Sequence, residues 1–146
     1  MRTLAIDLGT RRVGLALSDQ SGSLATPFQV LTISDPTQAI APILKLIEQE
    51  SVQRIVIGLP LNMDDTIGPA AKSTIQWARQ LQSQSKVPIV FIDERLSSFE
   101  AEQRLSQRKR AGEKLTHKKK KQQQDALAAA MFLQAFLDGK LPPIEA

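Results

Sequence analysis

Residues 54 to 58 read RIVIG and residues 87 to 93 read VPIVFID. Both runs are apolar at nearly every consecutive position rather than at alternate ones. That is the pattern of strands covered on both faces, as in a parallel sheet flanked by helices. Between them the apolar residues change period. Ile40, Ile43, Leu44 and Ile47 recur at helical spacing, and so do Ala70, Thr74, Trp77, Ala78 and Leu81. Strands that alternate with helices pair in parallel, so the chain reads as an α/β protein. The N-terminal part differs. Residues 3 to 7 (TLAID) and 13 to 18 (VGLALS) form a hairpin, and residues 24 to 33 (LATPFQVLTI) form a third strand. That strand lies at an edge or carries a bulge, because Pro27 has no N–H to give a ladder. The expected fold is a five-stranded mixed sheet in one domain spanning 1–146. Strands 1–3 are antiparallel, strands 4–5 are parallel, and helices lie on both faces.

Helix ends are written in the sequence. Asp35 is an N-cap, Pro36 suits the first helical position, and Gln38 completes a capping box for a helix reaching about residue 50. A second helix spans about 69 to 84. Ser97 and Glu100 form another capping box, opening a helix towards Arg110 that Gly112 ends. Thr116 caps a last helix running to Leu137, with Gly139 as its stop.

Composition removes several chemistries. The 146 residues include no cysteine, which excludes disulfides and thiolate zinc sites, and a lone His117 makes no zinc site by itself. No apolar run approaches the roughly 20 residues that cross a bilayer. Asp7 stands where a signal peptide needs apolar residues, so a cytoplasmic protein without membrane attachment is expected. Charge is concentrated. Residues 108 to 121, RKRAGEKLTHKKKK, carry eight Lys and Arg against Glu113 alone, while the whole chain carries only +4. A basic segment (Arg108, Lys109, Arg110, Lys114 and Lys118, Lys119, Lys120, Lys121) on a mildly acidic body fits a polyanion such as nucleic acid; its other reading is a solvated loop.

Ligands of open α/β sheets collect beyond the carboxyl ends of the parallel strands. Asp7 ends the first strand, and Asp93 and Glu94 end the last. Asp93 suits a turn or capping role. Asp125 shares a helical face with Ala128, Ala129, Phe132 and Phe136, so it heads a buried stripe, and the alanines allow that helix to approach the sheet closely. Converging carboxylates repel, by about 4 kcal/mol for a pair 4 Å apart at an effective dielectric of 20. A divalent cation removes that cost, and all-oxygen ligation favours Mg²⁺ or Mn²⁺. Taken singly, each acid also has a structural reading: a turn cap for Asp7, a surface ion pair for Glu94, a helix-dipole partner for Asp125.

The motifs together resemble a known family. DLGTRRVGLALSD at 7 to 19 looks like the D-x-G-x-x-R-x-G signature of the YqgF (RuvX-type) family. VIGLPLNMDDTIGPAA at 56 to 71 looks like its G-L-P loop. IDERLSSFEAE at 92 to 102 looks like its D-E-R segment, and DALAAAMFLQAFL at 125 to 137 looks like its closing helix. The resemblance implies an RNase H-like fold and a nuclease related to Holliday-junction resolvases, whose bacterial members mature the 5′ end of 16S rRNA precursor. It places Asp7, Glu94 and Asp125 at the acidic metal-binding positions. Arg12 and Arg95 fall at arginines suited either to phosphate contact or to a structural ion pair. Asp65 stands where the family often has Gly, and Asp tolerates the left-handed geometry such a loop position requires.

IDLGT also resembles the first phosphate loop of actin-like ATPases, but those bind nucleotide between two domains and use a second glycine-rich loop that this chain lacks. Three functions remain in competition: a ribonuclease acting on pre-16S rRNA within a ribosome precursor, a resolvase of branched DNA, and a non-catalytic nucleic-acid-binding module. No long apolar helix is set aside for dimerisation, so a monomer or weak dimer is expected.

Overall fold

The computed structural model describes residues 1–93 and 117–144, with the backbone alone at 117–123. Five strands form one sheet in the order β3-β2-β1-β4-β5. They are β1 (Thr3–Leu8), β2 (Arg12–Ser18), β3 (Ala25–Thr32), β4 (Arg54–Leu59) and β5 (Ile89–Asp93). β1 pairs antiparallel with β2 and parallel with β4, so the central strand joins the hairpin half to the parallel half. The expected α/β class, mixed sheet and hairpin edge are all present. The helices are α1 (Ile40–Gln49), α2 (Pro69–Gln84) and α3 (His117–Leu137). No described helix is long and apolar enough to cross a membrane. The capping box expected at Ser97 and Glu100, its helix, Gly112 and the Thr116 cap lie outside the described residues.

Alternation along the strands divides the core into two layers. Leu4, Ile6, Leu15, Ile55 and Ile57 pack with Ile43, Trp77 and Leu81 from α1 and α2. Ala5, Ala16, Val56 and Ile92 face the other way and pack with Ala129, Phe132 and Leu133 from α3. The sheet is therefore large-residued on one face and small-residued on the other. Gly14 is the extreme case. A Cβ there would overlap the main-chain carbonyl of Asp125 and crowd the amide of Ala126. Only the absence of a side chain lets α3 rest on β2 at this point.

The expected edge strand is correct in both respects. β3 is outermost, and its register with β2 shifts between Leu15 and Ala16, which face Gln29 and Pro27, so Phe28 is the extra residue of a bulge. β5, at the opposite edge, is only partly buried, unlike the fully covered strand its apolar sequence predicts; its outer side meets a single antiparallel bridge from Ile144 to Phe91.

Local signals held at the helix ends. Asp35 accepts from Thr37 N, and Gln38 closes the box, but the first turn, Pro36–Ala39, is a 3-10 helix before α1 begins. Two burial assignments shift by a turn's geometry. In α1, Leu46 is buried while Leu44 and Ile47 are only half-buried; in α2, Ala71 rather than Ala70 faces the core. The helices end and dock by hydrogen bonds. Trp77 Nε1 donates to Pro36 O at 2.8 Å, binding α2 to that first turn. α3 stops at Gly139 (φ 76), where Lys140 N donates to Ala135 O and Gly139 N to Phe136 O. Gln134 clamps α3 to the start of β3, accepting from Ala25 N and donating to Ser23 O.

Two stability outcomes follow from these contacts. Gly14→Ala is expected to lose about 1–3 kcal/mol, the usual cost of overpacking, read as a lower urea midpoint with an unchanged slope. Asp35→Ala should unfold at a lower temperature than the parent at pH 6. The Thr37 hydroxyl, and then its amide, hold the Asp35 carboxyl below its ordinary 3.8. A depressed group stabilises fully above that ordinary value and loses the effect as pH falls through its lower folded value. The gap between parent and variant should therefore narrow as the pH is lowered below 3.8; a gap that does not narrow in acid would mean that the carboxylate is not its source.

Candidate functional site

Asp7 is the penultimate residue of β1 and lies opposite Gly14 in the β1–β2 ladder. Ala5, two residues earlier, belongs to the layer under α3, so strand alternation puts Asp7 on that same face. Ala16 belongs there too, which brings Gly14 and Arg12 to the α3 side of β2. The main chain of Asp125 rests on Gly14. One residue of β2 thus touches both acids' neighbourhoods: Asp7 across the ladder, and Asp125 above the sheet. Two residues 118 positions apart in sequence become close neighbours through a glycine.

Arg12 closes the arrangement. Its Nε donates to Asp125 Oδ2 at 2.6 Å, and the two side chains are 36% and 27% exposed. Arg12 had two readings, phosphate contact and structural ion pair, and the structure shows the ion pair. The turn between β1 and β2 is held by Gly9 N donating to Arg12 O at 2.9 Å, which fixes where Arg12 leaves the turn.

The parallel strands end at the same edge. Ile6 is level with Ile57, and Gly58 with Ile92, so Asp93 lies one step beyond the level of Asp7. Phe91 packs with the α1–α2 layer and Ile92 with the α3 layer. Alternation therefore turns Asp93 away from the Asp7 face, consistent with its reading as a structural residue. Glu94, Arg95, Arg108, Lys109, Arg110 and Lys114 lie outside the described residues. Lys118, Lys119, Lys120 and Lys121 are on the first turns of α3, four to seven residues ahead of Asp125, and their side chains lie outside the description. Among the described residues no group of three acids or histidines is placed to hold a metal ion.

The loop after β4 opens at this same edge. Asp65 takes the left-handed conformation (φ 66) that its replacement of glycine predicts. Asn62 N donates to Thr66 O, and Asp64 accepts from the Thr66 hydroxyl and amide. The Thr66 hydroxyl, and then its amide, hold the Asp64 carboxyl below the ordinary range. Met63 projects from this internally bonded turn, 99% exposed.

Sequence reasoning placed Asp7 and Asp125 on one edge but did not identify Gly14 as the contact between them. The available signal was the Arg12-x-Gly14 spacing, which sets a cation and a bare backbone on one face of one strand. Phe28 is 44% exposed, whereas Trp77 and Phe132 are in the core.

The family described as "RuvX: Holliday junction resolvase" matches residues 1–139. A protein of Anaeromyxobacter dehalogenans named "Putative pre-16S rRNA nuclease" is 44% identical over 144 residues, covering 97% of this chain and 100% of that one. One of the same name from Syntrophomonas wolfei is 40% identical over 139 residues, covering 95% of each. Among solved structures, RuvC of Thermus thermophilus superposes with a TM-score of 0.59 at 14% identity, covering 99% of this chain and 100% of that one. The same protein in complex with a Holliday junction substrate gives 0.56 at 16% identity, covering 99% of each. At such identity the likeness is one of fold, the RNase H-like fold. With the family matched from the first residue to the end of α3, and relatives alike over nearly their whole length, the chain belongs to the RuvX family.

Proposed function

We propose that the protein is a divalent-metal-dependent nuclease that hydrolyses phosphodiester bonds, with the 5′ region of pre-16S rRNA in a ribosome precursor as its substrate. The observation that carries this reading is that Asp7 and the main chain of Asp125 both lie against Gly14 at the carboxyl edge of the sheet. That edge is where this class of sheet binds its ligands. The names of the curated relatives supply the substrate.

Asp7, Glu94 and Asp125 are the residues that would hold Mg²⁺ or Mn²⁺. The donor set is all oxygen, and Gly14 lets the helix that bears Asp125 lie close to the strand beside Asp7. Bound there, such ions supply Lewis acidity at a phosphoryl oxygen and a lowered pKa for the attacking water. The chain's own residues do the rest. Asp7 and Asp125, carried on a strand and a helix rather than on loops, fix the geometry of the acidic set. Arg12 and Arg95 contribute guanidinium groups that suit phosphate oxygens. The basic segment, Arg108, Lys109, Arg110, Lys114 and Lys118 to Lys121, runs into the helix that bears Asp125 and grips flanking phosphates. Such contacts give affinity without reading sequence. Specificity therefore rests on substrate shape or on the ribosome precursor as a partner. The protein works in the cytoplasm as a monomer or weak dimer.

A second reading, resolution of branched DNA, is favoured by the family's description and by the RuvC likeness. It requires a two-fold dimer to cut symmetrically. Purified protein with Mg²⁺ or Mn²⁺, offered a pre-16S 5′ leader RNA and a four-way DNA junction, separates the two. Cleavage of the RNA alone is the expected result. Asp7→Asn and Asp125→Asn should each retain the parent's circular dichroism and lose about a hundredfold or more in kcat, since metal activation contributes several kcal/mol. Undiminished turnover by either variant would remove that residue from the site.

A further inference from the structure

The Asp125 carboxylate already has a cation. Two ion pairs occur among the described residues, and they differ in kind. Arg2 reaches Glu50 at 3.4 Å, far from the site, through a terminal nitrogen. Arg12 reaches Asp125 at 2.6 Å through Nε, the nitrogen nearest the backbone. The second pair is fixed at both ends. Arg12 leaves a turn closed by the Gly9–Arg12 hydrogen bond, and two residues later Gly14 supports the main chain of Asp125. Strand and helix deliver guanidinium and carboxylate to each other. A guanidinium has five N–H donors, and among the described residues only Nε–H is seen engaged.

A divalent ion held by Asp125 would therefore compete with Arg12 for this carboxylate. We propose that Arg12 is a displaceable counter-cation: it neutralises Asp125 while the metal is absent, and on metal binding it leaves the carboxylate and turns its fork to a substrate phosphate. The idea rests on Asp125 being a metal ligand, as in the reading above, and adds an order to the site's assembly. Arg12 lowers the affinity of the free protein for metal. Any phosphodiester that draws Arg12 away raises that affinity, and by reciprocity metal raises the affinity for the phosphodiester. Metal and substrate then load together, and until they do Arg12 offsets the charge of Asp125. Arg12 acts here as a positioning residue on Asp125 before it meets substrate.

Metal binding itself, without turnover, is the test. Free Mn²⁺ is counted by electron paramagnetic resonance in titrations of the parent protein, Arg12→Gln, Arg11→Gln and Asp125→Asn. Arg11 is the exposed neighbour, so its variant removes the same charge nearby without touching Asp125. Arg12→Gln should bind Mn²⁺ about three- to fivefold more tightly, the scale of a partly exposed ion pair. Arg11→Gln should change it by less than about twofold, as expected of a screened surface charge. A second measurement needs no variant: in the parent protein the Arg12 Nε–H resonance should move on Mg²⁺ addition, as its hydrogen bond to the carboxylate is lost. If Arg12→Gln binds Mn²⁺ like the parent, or like Arg11→Gln, and that resonance stays fixed, the displacement is overturned. If Asp125→Asn binds Mn²⁺ as well as the parent does, the metal-ligand reading of Asp125 fails instead.

Discussion

The site depends on a main chain lying against a main chain. α3 crosses β2 where the sheet offers Gly14, and the alanines of both partners (Ala5 and Ala16 below, Ala126 and Ala129 above) keep the spacing short around it. Close-packed interiors transmit such a constraint with little slack. Because β1 and β2 are locked in register, the position of Asp125 above Gly14 also sets its position relative to Asp7. The opposite face of the sheet, filled by Leu, Ile and Trp77, provides most of the buried bulk and leaves the small-residued face to serve geometry.

This division explains how a strand-rich domain with neither cysteine nor a usable histidine pair can host phosphate chemistry. The acids come from the two most secure kinds of element, a central strand and a buried helix. Arg12, which pairs with Asp125, comes from β2, the strand beside β1. Positive charge in the sequence is then concentrated just ahead of Asp125, so the helix that carries an acid is approached through lysines. A run of positive charge and an acid of the candidate site thus lie in series along one stretch of chain.

Much of this was legible in the residues. The continuous apolar runs announced parallel strands, Pro27 announced the irregular edge, and Asp35 with Gln38 announced the start of the first helical turn; each is a local signal with a local cause. The α2 stripe was off by one residue at its start because Ala70 and Ala71 are chemically identical, and only docking against the sheet distinguishes them. Leu46 was missed for a similar reason, since a helix that begins as a 3-10 turn rotates the face it presents. The Arg12–Asp125 pair joins residues 113 apart, and no window of sequence holds both. Motif resemblance named the acids as a set, but it does not pair Arg12 with Asp125. The choice of Glu94 over Asp93 came from that resemblance; the alternation of β5 independently turns Asp93 from the Asp7 face.

The irregularity of β3 reaches beyond the fold. A regular outermost strand is an open comb of amides and carbonyls on which another polypeptide can continue the sheet. Here the comb has a missing tooth at Pro27 and a step at Phe28. A strand from another chain meets a rim that offers no regular ladder at this point, which disfavours continuation of the sheet across that edge.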